Sequence, residues 1–234
     1  RCVYINSEGG VVKLAGACGG SAFTNCVFAG NENGCGWTFN YNPNDSNSRA
    51  STVVLELSQA STTVDFVNCS FVRNLTGGVK AVGGIACVKG RAFVRNCLFW
   101  DNLVNKSSTT AKDIYLTADG QADVDWCAFE RADGSCVYAE DPETLTFPTE
   151  NIVTNDPLLV RSCPLSYVTY GGNIVPYFSQ TQAALDAALA IDVHVQKRSP
   201  AIDAGNPASD WRREPHPNGR RVNLGAYGNT SEAT

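Results

Sequence analysis

The sequence predicts an all-β chain, a single-stranded right-handed parallel β-helix (a solenoid) with a short C-terminal α-helix and an irregular tail. Three observations predict it. A nine-residue phrase recurs as FTNCVFAGN (Phe23–Asn31) and FVNCSFVRN (Phe66–Asn74), then more loosely as VRNCLFWDN (Val94–Asn102) and VDWCAFERA (Val124–Ala132). Each copy keeps a period-two apolar alternation but changes phase in its middle. A short apolar run precedes every copy, with no helical pattern between them. Internal repeats built only from short strands point to stacked coils.

The elements follow in order. In the first copy Phe23 and Asn25 share one phase, Cys26 and Phe28 the other. A strand that changes phase while keeping apolar residues inward must bend. Asn suits the bend because it tolerates left-handed backbone angles. Each copy therefore reads as strand, Asn bend, strand. The preceding runs VVKLAG, VVLELS, GGIACV and DIYL supply a third strand per repeat. The position after the bend is Cys26, Cys69, Cys97 and Cys127, at spacings of 43, 28 and 30. CVYIN puts Cys2 there, 24 residues before Cys26, and NIVTN puts Ile152 there, 25 after Cys127. The short spacings read as bare coils, so the surplus elsewhere bulges out as loops near 31–52 and 101–112. Stacking at about 4.8 Å places Phe28, Phe71, Phe99 and Phe129 in one inward column. It places Asn25, Asn68 and Asn96 in a ladder at the bend, interrupted by Trp126. The hand is right, as for parallel crossovers generally. Residues 1–175 are read as coils. Residues 176–234 are read as a helix and capping tail of the same domain, with SQTQAALDAALAI (Ser179–Ile191) as an amphipathic helix.

Composition excludes several classes. The chain has 234 residues, 43% of them hydrophobic, and a net charge of −5 with no basic run. That speaks against a nucleic-acid partner. No apolar run reaches the roughly 20 residues of a transmembrane helix. Methionine is absent, so the chain is expected to be processed or part of a longer product. Ten cysteines without a C-x-x-C spacing suggest an oxidising compartment. The column Cys2, Cys26, Cys69, Cys97 and Cys127 nevertheless reads as small buried hydrophobes, because parallel side-chain vectors make poor bridge geometry. Cys35, Cys136 and Cys163 are the better disulfide candidates, with partners unassigned.

The tail carries a resemblance. SPAIDAG (Ser199–Gly205) followed by RVNLGAY (Arg221–Tyr227) resembles the C-terminal end of secreted bacterial right-handed parallel β-helix repeat proteins. These belong to the pectate-lyase-like superfamily and include choice-of-anchor proteins. The N-C-x-F-x-x-N copies resemble repeats of the same group and of polymorphic outer-membrane proteins. The resemblance implies a secreted, extracellular or cell-surface location. Its weakest stretch is 163–195, which looks like an insertion.

The chemistry expected of that superfamily is thin here. The N-T-D, D-D and G-H-G motifs of polygalacturonase-like members are missing, so no catalytic residue is assigned. His194 reads as a strand residue and His216 as a solvated loop residue. Asp119, Asp123 and Asp125 are the candidate carboxylates for a Ca²⁺ ion, the one cofactor considered, although a solvated acidic strand face explains them as well. Arg212 and Arg213, with Arg220 and Arg221, could grip a carboxylated sugar or pair within the tail. Trp37, Phe39 and Tyr41 could stack on a sugar ring or fold back onto the coils. Of the sequons, Asn68 lies in the repeat core and is read as chance.

Two functions remain. The first is a structural, adhesive or self-assembling surface module, filament-forming if copies join head to tail. The second is a lyase or glycoside hydrolase acting on an acidic polysaccharide. A flank where carboxylates and an Arg or Lys converge would favour the second. Because Cys2–Tyr4 fits the second half of a bend, either more coils are expected upstream or copies meet at that open coil.

Overall fold

A computed structural model describes residues 2–5, 11–33, 51–77, 82–105, 111–161, 166–170, 173–177 and 191–234. They are mostly β-structure in parallel sheets. Among the described residues the only helical turns are two short 3-10 pieces, Pro142–Thr144 and Thr149–Asn151. The expected helix at 179–191 lies, but for Ile191, outside them, as do Trp37, Phe39, Tyr41, Cys35 and Cys163.

The chain runs in layers. The first contains β1 (Val3–Ile5), β2 (Val12–Gly16), β3 (Ser21–Thr24), β4 (Val27–Ala29) and β5 (Glu32–Asn33). The second contains β6 (Val53–Leu57), β7 (Thr63–Val67), β8 (Ser70–Val72) and β9 (Leu75–Gly77). The third contains β10 (Ile85–Arg95), β11 (Leu98–Trp100) and β12 (Leu103–Asn105). The fourth has β13 (Ile114–Leu116) and β14 (Gly120–Asp125), and the fifth has β15 (Val137–Ala139) and β16 (Leu145–Thr146). Equivalent strands pair in parallel, in sequence order: β1-β4-β8-β11 form one sheet and β5-β9-β12 another. Single bridges from Leu98 to Ala128 and on to Val153 continue the first sheet. A larger sheet gathers the strands before the bends. Its members β2, β6, β10, β13 and β15 align Val12, Val53, Ile85, Ile114 and Val137. β2, β6, β10 and β13 are the apolar runs expected before the four copies.

The register matches the repeat. Val27 pairs with Ser70 and Ser70 with Leu98, so Cys26, Cys69 and Cys97 fall in line. Phe28, Phe71, Phe99 and Phe129 stack face to face at 4.6, 4.7 and 4.8 Å, each 0% exposed. Burial of each contributes about 1.5–3 kcal/mol. The bends are left-handed, with φ of 54° at Asn25, 50° at Asn68, 55° at Asn96 and 51° at Trp126.

Several expectations need correction. The first three layers each carry a strand beyond the bend-and-run pattern, β5, β9 and β12, and of these β5 and β12 lie in stretches expected to be loops. Cys2 shares the column's register but is exposed, unlike Cys26, Cys69, Cys97 and Cys127. Cys136 holds a buried free thiol and not a bridge; all eight described cysteines are free. The bend asparagines stand in register, but their side chains do not bond one another. Asn25 Nδ2 donates to the carbonyls of Ala226 and Gly228, and Asn68 Nδ2 to Gly228. Asn96 Nδ2 donates to Ser209 Oγ while its Oδ1 accepts from Asn206 N–H. Trp126 makes the equivalent contact through its ring, 4.3 Å from the Arg221 guanidinium. All four bend positions therefore grip the tail.

The ladder that does exist lies six residues on. Asn31 Nδ2 donates to Asn74 Oδ1 at 2.9 Å, Asn74 Nδ2 to Asn102 Oδ1 at 3.1 Å, and Asn102 Nδ2 to Asp113 Oδ1 at 2.8 Å. All four are buried. Asn74 Nδ2 also donates to Phe28 O, and Asn102 Nδ2 to Phe71 O, which ties each turn to the aromatic of the layer before.

The tail covers a flank, where a cap over the end of the layers was expected. The outer sides of β4, β8 and β11 present Val27, Ala29, Val72 and Leu98, with Ala128 beyond. These pack against Val193, Val195, Ala201, Leu224 and Ala226 in a second core. β17 (Leu159–Arg161) and β20 (Asp192–Val195) pair antiparallel beside it. β18 (Ser166–Tyr170) and β19 (Asn173–Tyr177) form an antiparallel pair within the stretch read as an insertion.

Candidate functional site

The face that could meet a ligand is the outer side of β3, β7, β10 and β14. Period two decides its members: Ala92, Val94, Ala122 and Val124 turn inward and are buried, while their neighbours turn out. The register then sets Asp65 beside Phe93 and Phe93 beside Asp123, with Arg91 between Thr63 and Gln121, and Arg95 between Val67 and Asp125. Carboxylates, two arginines and a partly exposed aromatic thus share one face.

Arg91 and Asp123 on this face are already paired. Arg91 Nε donates to Asp123 Oδ2 at 2.7 Å and Arg91 Nη2 to Asp123 Oδ1 at 3.0 Å, a bidentate fork. The same guanidinium lies 5.3 Å from the Phe93 ring centre. Partial burial alone would raise the Asp123 carboxyl, but the Arg91 bonds outweigh it and hold the group below the usual range. A carboxyl held low is a poor general acid near neutral pH. Asp125 Oδ1 accepts from Asn151 Nδ2 at 2.8 Å. Asp119 sits exposed in the turn before β14. Of the three carboxylates expected for Ca²⁺, Asp123 and Asp125 thus have separate partners and Asp119 lies in the turn, and no cluster of three metal-ligating side chains occurs among the described residues.

The remaining sequence candidates are scattered over the tail. Arg212 is exposed and pairs with Asp210 of the same tail at 3.2 Å. Arg213 is exposed, and its backbone N–H donates to Asn229 Oδ1. Arg221 faces Trp126 and donates to the carbonyls of Ala204 and Gly205. His194, in β20, pairs with Asp192 and stacks on Tyr227 at 3.4 Å. His216 is exposed beside a cis proline. A cavity of about 500 Å³ lined by Leu158, Val160, Val195, Lys197, Arg198 and Thr234 contains none of the residues singled out from the sequence. The sequons at Asn68 and Asn74 are both buried.

The sequence reading missed Arg91, Phe93, Arg95 and Asp65. Their signal is the alternation in T-V-D-F-V and R-A-F-V-R, whose polar phase faces out once the register is known. No family model, no curated protein and no solved structure matches this chain. Among the described residues no helix is long and apolar enough to cross a membrane.

Proposed function

We propose that this chain is a right-handed parallel β-helix module of a secreted or cell-surface protein, bacterial in origin, with a structural, adhesive or self-assembling role. Parallel sheets whose strand order follows the sequence support the β-helix reading, and the crossover rule supplies its hand. The extracellular reading rests on the tail motif, since the described cysteines are free thiols and carry no compartment signal. The observation that carries the non-catalytic reading is the pairing of carboxylates between neighbouring layers. Lys13 pairs with Glu56, Arg73 with Asp101, and Arg91 with Asp123. Groups engaged this way stiffen a scaffold and are not poised for proton transfer. Self-assembly has edges to work through, because β1 and β15 each pair on one side only among the described residues.

A second reading, a lyase or hydrolase acting on an acidic polysaccharide, is favoured by one observation: Arg91, Phe93 and Arg95 share the exposed face with Asp65 and Asp123. The deciding experiment incubates the protein with acidic and neutral polysaccharides and follows both retention and chain cleavage, with and without Ca²⁺. The scaffold reading expects no new chain ends. Cleavage that disappears in Arg95→Ala would replace it with the enzyme reading. Sedimentation across a wide concentration range tests self-assembly, and a strictly monomeric profile removes that part.

A further inference from the structure

The asparagine ladder ends on a carboxyl group. The equivalent position in the fourth layer is Ala132, which can neither accept nor donate through its side chain, so Asp113 from the start of that layer takes the acceptor role. Asp113 is 2% exposed. Its surroundings are defined by three elements. Asn102 donates to it from the turn between β11 and β12. Cys136, buried, lies beside it from the start of β15. Lys112, its chain neighbour, directs Nζ to Glu130 Oε2 at 3.0 Å, so that cation is bonded elsewhere. Cys136, Lys112 and Glu130 are the titratable groups facing Asp113 among the described residues.

Two opposing effects meet at this carboxyl. Removal from water disfavours its charged form strongly. The three amides favour the charge, because Asn31, Asn74 and Asn102 all donate in one direction and turn their NH₂ ends toward Asp113. Burial is the larger, and it pushes the group up to about 7. The backbone around it forms a seam between three layers. Gly83 N–H donates to Lys112 O and Ile85 N–H to Asp113 O on one side. On the other, Lys112 N–H donates to Ser135 O, and the Asp113 and Ile114 N–H groups donate to Cys136 O.

We propose that Asp113 is a proton-operated latch on the layers: neutral, it closes the asparagine ladder; ionised, it puts a buried charge with no bonded cation into the seam and loosens residues 82–85, 111–114 and 135–137 against one another. The latch tightens as pH falls from neutral toward acid. In the window between the ordinary carboxyl value of 3.8 and about 7, the folded chain keeps a proton that the unfolded chain has lost. Stability therefore decreases as pH rises through that window and levels off above it.

The test compares denaturant midpoints of the wild type and Asp113→Asn between pH 5.5 and 8. Asn keeps the acceptor for Asn102 and removes the titration. From the two values above, the wild-type unfolding equilibrium constant rises roughly thirty-fold across that range relative to the variant. Identical pH profiles for the two proteins would overturn the latch. A measurement on the unaltered chain keeps the test open should the variant misfold. The Asp113 carboxyl ¹³C shift is expected to titrate near neutral pH, together with lower exchange protection of the Gly83 and Ile85 amides on the alkaline side. A carboxyl already ionised at pH 5, or protection that ignores the transition, sinks the proposal.

Discussion

Phe71 lies between Phe28 and Phe99, stacked at 4.6 and 4.7 Å and wholly buried. No neighbouring side chain can fill its volume without leaving its own place in a column one strand spacing deep. Phe71→Ala should therefore cost about 3–5 kcal/mol, read as a shift in denaturant midpoint, whereas exposed Arg212→Ala should stay within about 0.5 kcal/mol. Equal shifts would mean that the column is not the core. The cysteines beside these rings make a second residue-scale prediction. Burial pushes the Cys69 and Cys97 thiols well up, and neither is exposed. The thiolate is the reactive form. In the folded protein Cys2 should be alkylated long before Cys26, Cys69, Cys97 or Cys127, and mass spectrometry after timed labelling shows the order. Early labelling of the four would contradict the burial.

At the scale of elements, the bend and the ladder use the same residue type for different ends. Asn25, Asn68 and Asn96 take left-handed angles that cost most residues about 1–2 kcal/mol, and they turn their amides outward to the tail. Asn31, Asn74 and Asn102 turn inward and bind one another. Asn74→Ala would leave groups on Asn31 and Asn102 and the Phe28 carbonyl without this partner, at about 1–3 kcal/mol for each buried group. Asn25→Ala, at a part-buried bend, should be milder in the same urea titration. If Asn25→Ala is the worse of the two, the ladder is not what holds the layers. The Phe and Cys columns and the bends were legible because identical residues recur at spacings that only stacking explains. The inner ladder was not: Asn31 precedes a Gly- and Asn-rich run and Asn102 follows Asp101, so composition reads both as loop starts, and only their pairing reveals burial. The outer face was half legible. Asp123 and Asp125 lie two apart on one strand and so face one way, but which arginine meets them depends on a partner strand some 30 residues distant. Gly84 shows the same limit. A Cβ there would meet Asp113 O at 2.2 Å and the Phe99 ring at 2.8 Å, so Gly84→Ala should destabilise clearly, and a wild-type midpoint would contradict that close approach.

The whole molecule depends on a contact that spans almost the full length of the chain. Asn25 binds Ala226 and Gly228 across sequence separations of 201 and 203 residues. No local pattern encodes so distant a pairing, which is why the tail reads as a cap from sequence although its described contacts run along a flank. The physical need for it is plain in β4 and β8, where all three residues of each strand are buried, one side by the aromatic column and the other by the tail. Removing residues 191–234 would return Val27, Ala29, Val72, Leu98 and Ala128 to water as one apolar stripe next to unpaired bend amides. A stripe of that kind promotes association. The shortened chain should bind hydrophobic dyes and aggregate at concentrations where the full chain stays dispersed. A subtler variant separates docking from deletion. Gly225 has φ of 90°, and a Cβ there would lie 2.8 Å from Ser70 Oγ and 3.4 Å from Leu98 Cβ, just where the Ala226 N–H donates to that hydroxyl. Gly225→Ala should lift the tail from β8 and β11 while leaving the Phe column intact, so exchange protection is lost at Gly225 and Ala226 before it is lost at Phe99. Arg221→Ala, which removes the contact with Trp126 together with the bonds to the Ala204 and Gly205 carbonyls, should cost about 1–3 kcal/mol. A truncated chain with the full chain's midpoint and no dye binding would mean that the tail is an ornament on a self-sufficient stack, and the second core would lose its role in stability.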